Sequence, residues 1–370
     1  MNARSFLLAT MIPAALLTLG HSCAVRTVDE LADVSDVQFS GLIQEISEEG
    51  GYFWSNNYIS NETSYQHVLG QLESIPLAGG VYIGVGPNQN FTYIAATRPE
   101  LAFIVDIRRQ NLLEHLLFKV LIEDSETRAE YLSRLLGRPL SVPLARDATI
   151  EEIVAGVRAA PPDESYFARD MAFVTDELRG FPELALTDAD FEDIRRIYRE
   201  FFRLGLSIKY DSWRSFFFPS LEEFILETDL EGRRRNWLAR AEDYDYVREM
   251  HRANRIVPIV GDFAGDEAFR RLGRFLSSRD RTVSVFYLSN VEFYLFRQGR
   301  WDRFVENVRA LPTSETSVFI RAYANLRRPH PKMVNDHITV SLVQNIHTFL
   351  RNARAGLYHD LWDVVTTEDF

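Results

Sequence analysis

The chain has 370 residues, 46% hydrophobic and 12% aromatic, enough for a real core in one large domain or two smaller ones and too apolar for a disordered polymer. Its formal net charge of −12 argues against a general nucleic-acid surface, which needs clustered Lys and Arg facing phosphates. Arg-rich spots such as Arg233-Arg234-Arg235 sit among acidic residues and read as a solvated helix face.

The first element is a processing segment. Arg4 lies close behind Met1, and Ser5–Leu19 is an uncharged run rich in Leu and Ala, too short and too loosely flanked for a transmembrane helix. Cys23, the only cysteine, follows it. A lone cysteine there resembles the lipidation site of a bacterial lipoprotein signal. Ser22 and Ala24 fit that pattern, whereas Gly20 stands where Leu is usual. Residues 1–23 therefore read as a leader, and the protein as exported, either lipid-anchored at a bacterial membrane through Cys23 or periplasmic after ordinary cleavage behind Ala24. A start placed too far upstream would instead leave it cytoplasmic. One cysteine excludes a disulfide within the chain.

Residues 24–78 read as an N-terminal helical and lid segment. Val37–Ile46 has helical spacing, and Glu48-Glu49-Gly50-Gly51 breaks it. Tyr52–Ser60 is aromatic and Asn-rich without periodicity. Asn61-Glu62-Thr63-Ser64 offers caps for a helix through Leu72. Asn61, Glu62 and Tyr65 are candidates for a lid folded over a site, the alternative being an ordinary capped loop.

Residues 79–124 form a β-α-β unit. Val81–Val85 is a short apolar run ending in Gly84-x-Gly86, a helix is predicted over Asn88–Thr97, and Leu101–Val105 is a second apolar run closed by Asp106. Glycines at such a turn let the backbone approach a ligand, and the helix N-terminus offers free N–H groups. A carboxylate about twenty residues past the glycines is where a ribose is held. Asn111–Ile122 continues as an apolar helix. Residues 125–250 read as a helical insertion, with a long amphipathic stretch at Asp188–Leu206 and Pro-containing breaks at Arg138-Pro139, Ala160-Pro161-Pro162 and Phe218-Pro219.

The alternation returns over 251–370: strands at Ile256–Val260, Thr282–Leu288 and Ser317–Tyr323, and helices at Glu267–Ser278, Trp301–Leu311 and Val343–Arg354. A further helix is read at Tyr244–Asn254. Strands alternating with helices predict an α/β fold, Rossmann-like, with a mostly parallel sheet covered by helices on both faces and a helical insertion.

In open α/β sheets ligands sit beyond the carboxyl ends of the strands. That rule selects Gly84–Asn88, Asp106–Arg109, Gly261–Asp266 and Ser289–Glu292. Gly84, Gly86, Asn88, Asp106 and Asp262 are the candidate cofactor contacts. Asp106 either accepts ribose hydroxyls or pairs with Arg108 or Arg109. Asp262 either accepts an adenine amino group or caps a helix. Ser289, Asn290 and Glu292 end an apolar strand as candidate catalytic groups. No His or Cys pair has metal-ligand spacing, and no Walker loop or Gly-x-Ser-x-Gly elbow is present.

The runs Glu49-Gly50-Gly51-Tyr52-Phe53, Ser60-Asn61-Glu62-Thr63-Ser64-Tyr65, Gly80–Gly86, Val105-Asp106-Ile107-Arg108-Arg109-Gln110-Asn111 and Phe286-Tyr287-Leu288-Ser289-Asn290-Val291-Glu292 resemble a family of uncharacterised bacterial proteins. Its fold is similar to that of S-adenosylmethionine-dependent methyltransferases. The resemblance covers roughly Ser47 to Tyr323 and implies S-adenosylmethionine as cofactor. It sets Gly84 and Gly86 in the cofactor loop, Asp106 and Asp262 after the second and third strands, and Ser289-Asn290 beside a methyl acceptor. The chain departs from the methyltransferase pattern at Tyr82, where an acidic residue is common, and at Asn88, where a third glycine is common. Two functions follow: a methyltransferase with a small-molecule acceptor, or an exported, non-catalytic ligand-binding or interaction lipoprotein on a degenerate methyltransferase scaffold. S-adenosylmethionine is made in the cytosol, so the leader and the cofactor pull in opposite directions.

Overall fold

A computed structural model of the chain describes residues 34–77, 79–210, 217–324 and 328–367. The leader and Cys23 lie outside the described residues. The first helix, α1 (Asp36–Ile46), starts at a capping box: the Ser35 hydroxyl accepts the Gln38 N–H, and Gln38 Oε1 accepts the Ser35 N–H at 2.9 Å. The helix expected through Leu72 is confined to α2 (Leu69–Ser74). Side chains that would have capped and solvated an earlier start are drawn inward instead. Ser64 Oγ lies 3.0 Å from Thr339 Oγ1, and the Gln66 amide donates to the Glu227 carbonyl at 2.8 Å.

The chain then runs β1 (Val81–Gly84), α3 (Gln89–Thr97), β2 (Leu101–Asp106) and α4 (Arg109–Asp124). Five helices follow: α5 (Arg128–Leu135), α6 (Ile150–Ala159), α7 (Glu164–Gly180), α8 (Asp188–Leu204) and α9 (Leu221–Leu226). The alternation resumes with α10 (Ala241–Arg252), β3 (Ile256–Val260), α11 (Ala268–Ser277), β4 (Val283–Ser289), α12 (Val291–Arg297), α13 (Trp301–Arg309) and β5 (Thr313–Ala324). The described chain ends with β6 (Thr339–Asn345), α14 (Ile346–Arg354) and α15 (Leu361–Thr366).

The fold is α/β. A six-stranded sheet has the order β3-β2-β1-β4-β5-β6, parallel throughout except that β6 runs antiparallel to β5. β1 and β3 are buried along their whole length, as strands of a parallel sheet covered on both faces must be. The strand β6 replaces the start of the helix expected at Val343. Asn345 closes it, and the Asn345 side chain then accepts the Thr348 N–H at 2.9 Å, capping α14. β5 is also longer than the apolar run Ser317–Tyr323, because its first residues pair beside Val283.

The helix α4 explains why the helical block is not a separate body. Asn111–Ile122 is buried all round. It packs on β2 and β3, and also on α5, α7, α8 and α10. Arg109 at its start clasps Asp190 at the start of α8, Nε to Oδ1 at 2.6 Å. Sheet and helical block share one apolar core, and Asp33–Phe370 forms a single compact unit.

The parallel strands all end on one edge. β1 lies between β2 and β4, so the chain first builds outward through β2 and β3 and then returns to the other side of β1. That reversal leaves a crevice beyond the ends of β1 and β4.

One packing contact gives a sharp stability test. Gly273 lies mid-helix in α11, and a Cβ there would overlap the backbone carbonyl of Ala310. Alanine is the better helix former by about 1 kcal/mol, yet overpacking against backbone costs about 1–3 kcal/mol. Gly273→Ala is therefore expected to lower the chemical-denaturation midpoint, whereas helix propensity alone would raise it.

Candidate functional site

The first turn is built by a residue the sequence reading passed over. Asn90, in the first turn of α3, points its Nδ2 at the carbonyls of Val85 (3.0 Å), Gly86 (3.2 Å) and Pro87 (2.7 Å). Its Oδ1 accepts the Tyr82 hydroxyl at 2.9 Å. His115 of α4 adds a second bond to the Gly86 carbonyl, Nε2 to O at 2.8 Å. Burial pulls His115 down to about 4, so the ring is neutral and the carbonyl fixes its proton on Nε2. The turn carbonyls are thus turned into the protein. Gly86, at φ +77, takes a conformation that favours glycine, and the nearest atom to an added Cβ is Asn57 Nδ2 at 3.5 Å. Gly84 is glycine for a different reason: a Cβ there would overlap Asn90 Oδ1, so the close approach is by a side chain of the chain itself.

The second strand end carries Asp106, 5% exposed. Arg108 closes on it with three donors: backbone N–H to Oδ1 at 2.9 Å, Nε to Oδ1 at 3.2 Å and Nη2 to Oδ2 at 3.3 Å. The remaining arm, Nη1, reaches the carbonyls of Ser55 and Asn56. Arg108 therefore holds the segment before β1 against the end of β2. Behind it Glu114 is fully buried, and burial holds its carboxyl well above the ordinary range against the pull of Arg108.

The third strand end is organised by Glu48. Its Oε1 accepts the Asp262 N–H at 2.7 Å, and its Oε2 accepts the N–H of Glu267 (2.9 Å) and of Ala268 (3.1 Å), capping α11. Asp262 accepts the Ala264 N–H at 2.8 Å and pairs with Arg300 Nη1 at 2.5 Å.

The fourth strand end is Ser289. It is a non-glycine residue at φ +51, in the left-handed region. Its Oγ donates to Glu62 Oε1 at 2.5 Å. The same oxygen accepts the Tyr287 hydroxyl at 2.9 Å, and Glu62 Oε2 accepts Gln89 Nε2 at 2.8 Å. Glu62 is fully buried, and burial pushes its carboxyl up despite these donors.

These strand ends converge on one cleft, with about 920 Å³ of empty space counting its open mouth. Gly86, Asp106, Asp262, Ser289 and Asn290 all line it. Its walls are largely aromatic or apolar: Phe53, Ile107, Tyr210, Phe263, Tyr294 and Leu295. The remaining candidates lie elsewhere. Gly84 is packed under Asn90. Asn88 is buried, with its Oδ1 unpartnered, and is not in the cleft wall. Glu292 turns away into a buried ion pair with Arg321, Oε2 to Nε at 3.1 Å, because α12 places it opposite β5 rather than beside Ser289. Of the three lid candidates only Asn61 lines the cleft. Glu62 sits in the protein beneath Ser289. Tyr65 is fully buried, stacked on Phe224 with ring centroids 4.2 Å apart. Arg300 and Tyr287 carried no local sequence signal, since each earns its place through a partner far along the chain, whereas Asn90 bonds the turn just before it and could have been read as that turn's cap.

A family model for a domain of unknown function, DUF7790, matches residues 57–167 and 188–364, most of the chain. The chain belongs to the DUF7790 family. The match begins at Asn57 in the cleft wall and includes Asp106, Asp262 and Ser289. No curated protein matches the chain.

Two stability measurements probe this geometry. Asp106→Ala strands the buried Arg108 guanidinium, so it is expected to cost about 3–5 kcal/mol in equilibrium unfolding, far more than a surface carboxylate would. Ser289→Ala and Ser289→Gly both delete the hydroxyl, but only glycine relieves the left-handed backbone. Ser289→Gly is expected to be the more stable of the two by about 1 kcal/mol in the same measurement.

Proposed function

We propose that the cleft binds a nucleoside-containing small molecule of the S-adenosylmethionine type, on a Rossmann-like, methyltransferase-like fold, and that the chain transfers a methyl group to a small acceptor held beside Ser289 and Asn290. The observation that carries this reading is the meeting of Gly86, Asp106, Asp262 and Ser289-Asn290 at the crevice where the strand order reverses. A nucleoside needs apolar walls for its base and a carboxylate for its ribose. Ile107 and Phe263 line the cleft beside Asp106. Asp106 Oδ2 accepts one side-chain bond from Arg108, which leaves lone-pair capacity on that oxygen. Gly86 leaves its outer side open for close approach. The bound nucleoside would supply the methyl group. The part of the chain is to exclude water with its aromatic walls and to align the acceptor, the proximity effect on which such transfer depends.

A second reading has its own support. Asp106 and Asp262 are each already paired, with Arg108 and Arg300, and the space at Gly84 is filled by Asn90. These features suit a non-catalytic ligand-binding protein on a degenerate scaffold. Export through the 1–23 leader, with lipid attachment at Cys23, belongs with that reading.

Calorimetry with S-adenosylmethionine and S-adenosylhomocysteine separates the two. The methyltransferase reading expects saturable heat with both. Asp106→Asn keeps an oxygen for Arg108 but loses the charge, and is expected to weaken binding roughly ten- to a hundred-fold. A folded sample that gives no heat with either ligand removes the nucleoside site and leaves the binding-protein reading.

A further inference from the structure

Ser289 and Glu62 form a constellation that nucleoside binding does not use. Ser289 sits where β4 ends, and α12 begins two residues later, so the serine occupies a tight strand-to-helix turn. Its backbone is left-handed at φ +51, and the β4–β5 register breaks between Tyr287 and Ser289. Such strain in a residue that is not glycine persists only where surrounding structure imposes it, and it concentrates at reacting sites. A serine presented on a strained strand-to-helix turn at the end of a sheet strand is the geometry that exposes a nucleophilic hydroxyl.

Behind the hydroxyl stands a carboxyl group. Glu62 Oε1 lies 2.5 Å from Ser289 Oγ, within reach for proton transfer. Its orientation is fixed by Tyr287, on the same strand as Ser289, and by Gln89 on α3. Nucleophile, base and a third group that aims the base are the pattern of an activated hydroxyl. None of the bonding partners of Glu62 is a cation. A glutamine could accept the Ser289 and Tyr287 hydroxyls on its one oxygen and, with the Gln89 amide turned over, donate to the otherwise unpartnered Gln89 Oε1. It would do so without bringing a charge into the interior, where an uncompensated carboxylate is costly.

We infer that Ser289 is a nucleophile with Glu62 as its general base, and that the cleft acts on esters by acyl transfer to Ser289. Ser289 Oγ bonds to the carbonyl carbon while its proton passes to Glu62 Oε1. The bond from that carbon to the leaving oxygen breaks, and the proton goes to the departing alcohol. Water then cleaves the acyl-serine, its proton returning through Glu62 to Ser289 Oγ as the free acid leaves. Asn57, Asn61 and Asn290 line the same cleft and offer amide N–H groups to the oxyanion. This inference does not depend on whether a nucleoside binds.

The pH dependence has a definite sign. Burial raises Glu62 above the ordinary carboxylate range. The titratable groups facing it are Tyr82, Tyr93 and Tyr287, all held neutral by burial and by Glu62 itself. The cations lining the cleft, Arg108 and Arg300, are occupied by Asp106 and Asp262. Nucleophilicity therefore rises with pH as Glu62 ionises.

The full-length protein treated with an alkyl fluorophosphonate tests this. Ser289 Oγ bonds to phosphorus, fluoride leaves, and the proton goes to Glu62. Peptide mass mapping is expected to place the adduct on Ser289, with none in Ser289→Ala. Glu62→Gln, checked for folding by its melting curve, is expected to label at least about 100-fold more slowly and without the rise with pH. Tyr287→Phe removes one donor from the carboxylate and is expected to move the midpoint of the rise to higher pH. It serves as the decisive variant if Glu62→Gln does not fold. A folded wild-type protein with no adduct on Ser289, Glu62→Gln labelling at the wild-type rate, or an unmoved midpoint in Tyr287→Phe would each overturn the assignment.

Discussion

Near the cleft the parallel strands are buried on both faces, β1 and β3 along their whole length, and that constraint shapes everything around it. Along β1 and β3 there is no position where a polar side chain could meet water. Apart from the tips of Tyr82 and Tyr287, the polar groups around the cleft enter where a strand stops, and there the exposed ends of the ladder must be closed. Each strand end is closed by a specific side chain, from the next few residues at β1 and β2 and from farther away in the chain at β3 and β4. Asn90 and His115 hold the turn after β1, Arg108 holds Asp106 after β2, Glu48 and Arg300 hold Asp262 after β3, and Glu62 holds Ser289 at the end of β4. The cleft is the space these closures leave between them.

The same closures fix the segment that covers the cleft. Gly51 donates to the Ile107 carbonyl at 2.8 Å, Arg108 reaches the carbonyls of Ser55 and Asn56, and Glu62 is anchored under Ser289. Between these fixed points Tyr52 is 86% exposed at the mouth, while Phe53 packs edge-on against Tyr294, with centroids 5.2 Å apart. The covering segment is tied down at several points along its length and forms part of the cleft wall.

Much of the sheet was legible because buried parallel strands are continuous apolar runs with sharp ends. Ile256–Val260 has the bounds of β3, the run Leu101–Val105 stops one residue short of the end of β2, and the run Thr282–Leu288 is offset from β4 by one residue at both ends. The ends were informative for the same reason, since a polar residue after an apolar run has few places to go. β6 was not legible. Its residues Val340, Leu342 and Val343 match helical spacing as well as strand spacing, and only pairing with β5 decides between them. The region around Glu62 and Tyr65 failed differently. Polar residues near a capping pattern suggested a surface helix, whereas tertiary bonds bury them. Glu292, two positions past Asn290, looked like part of one polar cluster, but a helix beginning at Val291 turns it toward Arg321. Sequence proximity survives along a strand end and is lost at the first helical turn.

The fit between Gly84 and Asn90 has a consequence on the scale of descent rather than of one molecule. The amide of Asn90 and the Tyr82 ring together fill the volume that a side chain at position 84 would need, and Asn90 can organise the turn only because position 84 leaves that volume to them. A side chain at position 84 collides with both Asn90 and Tyr82, and a smaller residue at position 90 gives up the three bonds to the turn. Positions 82, 84 and 90 are therefore expected to change together among relatives, which an alignment of the family checks. A lineage that has lost the asparagine has lost the lock on the turn, and has gained the freedom to shape its cleft in another way.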